Sequence, residues 1–74
     1  MQTKFKRHQE VRILTEPDEK DIEDYQDPPI KIKKGMVGKI NILLPNGRYH
    51  VQVIDKKNET VAYVAIDEEN LEAI

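Results

Sequence analysis

Seven carboxylates lie between Glu16 and Asp27, among them Asp18, Asp21, Glu23 and Asp24. Carboxylates at this density are suited to two kinds of chemistry. They can hold a hard cation through oxygen ligands, or they can act as an acid–base pair. The first needs an ordered loop with a glycine at its sharp turn, as in EF-hand sites. The stretch has no glycine and lacks that ligand order. The second needs an apolar pocket that drives two carboxyl pKa values apart, and little near these residues is apolar. His8 and His50 are far apart in sequence, and there is no cysteine, so no zinc-ligand spacing arises. No serine is present, and Thr3, Thr15 and Thr60 have no base nearby in sequence to activate them. The expectation is a protein that is not an enzyme and needs no metal or cofactor.

The second concentration of chemistry is "IKIKKGMVGKI", residues 30–40, with Lys31, Lys33, Lys34 and Lys39 around Gly35 and Gly38. A phosphate-cradling loop would require a Gly-rich spacing ending in Lys-Ser/Thr and opening a helix. That pattern is missing. Clustered lysines suit the phosphates of a nucleic acid, and they equally suit a solvated strand edge that resists aggregation. A net charge of −2 and an aromatic content of 5%, with no tryptophan, argue against a base-stacking platform.

Charge is segregated along the chain. Lys4, Lys6, Arg7 and Arg12 outweigh Glu10 before the acidic stretch, and Lys20 is that stretch's only cation. The lysines of 31–39 follow, and the last eight residues hold Asp67, Glu68, Glu69 and Glu72. Such alternation either screens itself within one small domain or presents faces of opposite sign to a partner. At 74 residues the chain has room for one domain, with modest stability of roughly 4–11 kcal/mol. The absence of cysteine fits a reducing compartment, and "MQTKFKRHQE" has no apolar leader core. No segment is long and apolar enough to span a membrane. A cytoplasmic protein is therefore expected, as a monomer or weak oligomer, with residues 1–7 a flexible N-terminus.

These residues need elements to position them. "EVRIL" alternates, placing Val11 and Ile13 on one side, so it reads as a half-buried strand. "TEPDEKDIEDYQDPP" reads as one long first loop, with a helical turn near Asp18 to Asp24, because Pro28 and Pro29 stop any helix there. "IKIK" alternates as a strand with Ile30 and Ile32 facing one way. In "MVGKINILL", Val37 falls off the Ile40–Ile42 parity, which a kink at Gly38 would explain. Glycine at Gly35 suits a turn entering this strand, and at Gly38 a bulge or close backbone approach. Asn46-Gly47 supplies the positive φ of a tight hairpin. "RYHVQVI" puts Tyr49, Val51 and Val53 on one face and Arg48, His50 and Gln52 on the other. "TVAYVAI" is apolar on both faces and so central. Asp67 is placed to cap a 3₁₀ turn, after which Leu71 and Ile74 return to the core. The fold class expected is all-β: a small antiparallel barrel of five strands with a long first loop and a C-terminal 3₁₀ turn.

The succession of a strand, an acidic loop, "IKKGMVGKI", "NILLPNGRYHVQV", a hairpin and "VAIDEENLEAI" resembles the SH3-like barrel superfamily over residues 8–74. It is most similar to KOW-type and electron-transport-accessory members. Two features depart from that pattern: "KRHQEVRIL" has no glycine before the first strand, and the aromatic groove of proline-peptide-binding SH3 domains is missing. The long first loop, the sign-segregated charge and the absence of catalytic residues point to a non-catalytic module that docks on a larger protein or complex. The resemblance implies, as the alternative, a KOW-like module bound to RNA or the ribosome. The contact surface is expected where the long loop meets the basic turn, at Asp21, Asp24, Tyr25, Lys33, Lys34 and Arg48. Tyr25, a lone aromatic among carboxylates, is the strongest anchor among them.

Overall fold

The computed structural model describes residues 4–74, and it is all-β apart from 3₁₀ turns. Six strands follow in chain order: β1 (Glu10–Ile13), β2 (Ile22–Asp24), β3 (Val37–Leu43), β4 (Arg48–Ile54), β5 (Thr60–Asp67) and β6 (Leu71–Ala73). All pairings are antiparallel, in the order β2-β5-β4-β3-β1-β6. The expected five-stranded closed barrel is thus corrected to one six-stranded sheet with edges at β2 and β6. Among the described residues no helix is long and apolar enough to cross a membrane.

Strand count differs because the sixth strand lies inside the long acidic loop. Its only local signal is the single apolar residue Ile22. β5 has two sides: β4 takes one, and Ile22–Asp24 takes the other by pairing Ile22 with Val64 and Asp24 with Ala62. "IKIK", although it alternates, is therefore left without a ladder and runs as irregular chain. Its parity still counts in part, since Ile32 is buried while Ile30 is 38% exposed.

The core forms where inward positions of adjacent strands meet. Tyr49, Val51 and Val53 of β4 stand opposite Ile66, Val64 and Ala62 of β5, and all six are buried. Val11 and Ile13 of β1, Ile40 of β3 and Leu71 join them. Phe5 does too, although it falls in the stretch expected as a flexible N-terminus. Its ring meets Tyr49 edge-on at 5.4 Å, and its N–H donates to the Tyr49 hydroxyl at 3.3 Å. Residues 1–3 of that stretch lie outside the described residues.

The two expected glycine roles separate cleanly. Gly35 has φ of 95° and forms the turn into β3, its N–H donating to Ile13 O. Gly38 is a close approach: a Cβ there would lie 2.6 Å from Val51 Cγ1 and 2.8 Å from Gln52 O. The break in β3 parity is elsewhere, as a bulge between Ile40 and Ile42. The extra residue, Asn41, turns Ile42 off the face of Ile40, leaving it 47% exposed rather than inward. A second irregularity places Val61 between Thr60 and Ala62, where it is buried. The Asn46-Gly47 turn has the expected positive φ at both residues, 66° and 73°.

At the C-terminus, Asp67 sits at the cap position of the turn Glu68–Asn70 but makes no capping hydrogen bond. Leu71 is buried, whereas Ile74 is 63% exposed. Ile74 lies past the end of β6, and Glu72 and Ala73 before it are exposed as well, so the chain leaves the core after Leu71.

Gly38→Ala is expected to lower the unfolding free energy by about 1–3 kcal/mol, the usual cost of forcing atoms into a packed site. Leu71→Ala should cost about 2–5 kcal/mol. Urea denaturation of each variant measures both, with the glycine effect appearing as a shift in midpoint at unchanged slope.

Candidate protein-contact surface

Arg48 begins β4, and its side chain turns toward the acidic loop. Its guanidinium meets Asp21 with Nη2–Oδ2 at 3.2 Å and Nη1–Oδ1 at 3.4 Å. Nε donates to Asp67 Oδ1 at 3.0 Å, and Nη2 also donates to Ala65 O at 2.9 Å. One planar fork thus ties the 3₁₀ turn Glu19–Asp21 to β5. It also explains why Asp67 does not cap: its carboxylate is engaged by Arg48. Hydrogen bonding to Asp21 foremost, and to Asp67, raises the guanidinium pKa above its ordinary value against the opposing effect of burial. The stability linked to a raised basic pKa is present below the unfolded value and disappears only in strongly alkaline solution. Ionisation of Arg48 therefore leaves the clamp intact through neutral pH.

Asp24 ends β2, exposed, and Tyr25 follows it at 65% exposure. Tyr25 is not free in space. Its ring meets Tyr63 of β5 edge-on, with centroids 6.2 Å apart at 69°. Tyr63 in turn stacks on His50 of β4 at 5.2 Å and 10°. The imidazole is held from both nitrogens: Asn41 Nδ2 lies 2.9 Å from Nδ1, and Glu23 Oε2 lies 3.0 Å from Nε2. With the Asn41 amide donating, Nε2 carries the proton and donates to Glu23. The outer face of the sheet therefore carries a three-ring ladder from Tyr25, just past β2, across β5 to β4, bordered by Glu23.

Lys33 and Lys34 are exposed in the turn at Gly35, before β3 begins. Val37, just beyond that turn, pairs with Ile54 at the far end of β4 from Arg48. Six residues of strand separate those ends, about 20 Å of contour. The structure thus joins Asp21 to Arg48 and Asp24 to Tyr25, and it places Lys33 and Lys34 at the other end of the hairpin. Reading the sequence did not find His50 and Tyr63 as members of a surface. Each has outward parity on its own strand, but their stacking depends on the β4–β5 register, which pairs His50 with Ala65 and Gln52 with Tyr63.

No family model, curated protein or solved structure matches the chain.

Replacing Arg48 by alanine should lower the melting temperature more than Asp67→Ala, since it releases both carboxylates and a carbonyl. Arg48→Lys should not restore it, because an ammonium cannot present the planar fork. Thermal melts of the three variants test this ranking, and equal melting temperatures would refute the clamp.

Proposed function

We propose that this chain is a non-catalytic protein-interaction module that docks on a larger protein or complex. The observation that carries this reading is Tyr25, exposed to solvent yet already ordered by its contact with Tyr63. An aromatic anchor of this kind loses little conformational freedom when a partner covers it. Glu23 on the same face gives the contact a sign, favouring a partner surface with positive charge. Kinship with SH3-like modules belongs to the same proposal, with the sheet opened rather than closed. A chain without cysteine suits the reducing cytoplasm in this role.

Tagged protein retaining its native melting temperature is the bait for the test, with lysate of the source organism as the sample. The expected result is a protein held by the wild type and lost, at least about tenfold, with Tyr25→Ala. Recovery of the bait alone, or equal capture by both baits, would overturn the reading.

Lys31, Lys33 and Lys34, all exposed around one turn, favour RNA as the second reading. Contact by three lysines would make log affinity fall against log salt with a slope of about −2 for a single strand. The expected outcome of a filter-binding titration is no retention of single-stranded RNA at low salt. Retention with that slope would replace a protein partner by RNA.

A further inference from the structure

An edge strand leaves half of its backbone groups without a ladder partner. β2 bonds β5 on one side and, among the described residues, has no strand on the other. Residues 26–32 run nearby without a single backbone–backbone hydrogen bond among the described residues. Between the two lies a cleft of ≈ 790 Å³, within the ~300–1,000 Å³ of sites that take ligands. Its apolar lining includes Ile22, Ile30 and Ile32. Its charged lining is Glu16, Glu19 and Asp24 against the single cation Lys31. None of these three carboxylates forms a salt bridge among the described residues.

We infer that this cleft takes an extended peptide segment of alternating apolar and basic residues, which adds as a strand to the free edge of β2. Three features specify the occupant. The open edge supplies main-chain donors and acceptors for a strand. Successive side chains of a strand point to opposite faces, so every second residue enters the cleft and meets the isoleucines. The residues between them point outward, past Glu23 and Tyr25. On that outward face Glu23 meets the basic residues, and the carboxylates Glu16, Glu19 and Asp24 lining the cleft add a negative field that favours a basic segment and disfavours acidic peptides and nucleic acid. The inference rests on the protein-binding reading and deepens it by naming the partner's backbone form and charge.

Titration of the isotope-labelled full chain with four synthetic octapeptides tests it by amide chemical shifts and hydrogen exchange. The probes are acetylated Arg-Val repeats, acetylated Glu-Val repeats, and Arg-Val repeats N-methylated at every second residue, prepared in both phases. The expected result is that the Arg-Val peptide shifts the amides of Ile22–Asp24 and Ile30–Ile32 and slows exchange in β2. The Glu-Val peptide should bind at least tenfold more weakly, and one phase of N-methylation should abolish binding. Glu19→Lys and Asp24→Lys should each weaken the Arg-Val peptide about threefold, the size of an exposed ion pair. Equal binding of the two charge types, or no amide shift at millimolar peptide, would overturn the inference. Shifts confined to Tyr25, Tyr63 and His50 would also overturn strand addition, while leaving the aromatic contact standing. Loss of capture with Tyr25→Ala is read separately, so the two proposals fail independently.

Discussion

The missing side chain at Gly38 is the constraint around which the sheet is arranged. β3 lies between β1 and β4, with Gly38 opposite Val11 on one side and Val53 on the other. Val51 Cγ1 and the Gln52 carbonyl occupy the space a Cβ would need. This contact brings the inward residues of three neighbouring strands into one cluster. A chain this small buries only about 60–65% of its unfolded surface, and its few large apolar residues must therefore converge on one place. A bulge at Asn41 then turns β3 outward past Ile40. One close approach and one extra residue thus set how β3 meets its neighbours, two devices with different physical origins.

The second organising feature is the fork of Arg48. β2 is only three residues long and has one neighbouring strand, so its ladder holds few hydrogen bonds. The adjoining 3₁₀ turn is held through Asp21, which shares the guanidinium with Asp67. Two acidic segments that would repel each other, the first loop and the C-terminal turn, are bridged by one cation. The lysines and arginines of residues 4–12 and 31–39 form no salt bridge among the described residues, so the fork joins acidic segments without pairing the basic ones. Asp21 is therefore engaged within the fold, while Glu16, Glu19 and Asp24 form no salt bridge among the described residues.

The outer face divides into pieces with different work. His50, held between Asn41 and Glu23, supports Tyr63, and Tyr63 supports Tyr25. Only the last of these rings is largely exposed. The ladder thus braces the exposed Tyr25 ring against the sheet. The lysines at the Gly35 turn lie apart from it, so no single surface joins all six residues singled out in the sequence.

Alternation determined the all-β class and the inward faces of β1 and β4, and the Asn46-Gly47 turn gave the hairpin, because these depend on side-chain period and on backbone angles of neighbouring residues. The same local rules foresaw a turn at Gly35 and a close approach at Gly38. They failed at "IKIK", at Ile22–Asp24, at Ile42 and at Ile74. Whether a segment becomes a strand depends on a free neighbouring edge, and a bulge moves every residue after it relative to the other strand. Register decided that His50 and Tyr63 stack, and folding distance decided that Arg48 meets Asp21 and Asp67 while Lys33 and Lys34 stay remote. Those facts involve residues far apart in the chain, and only tertiary structure brings such residues within range of a hydrogen bond or a ring contact.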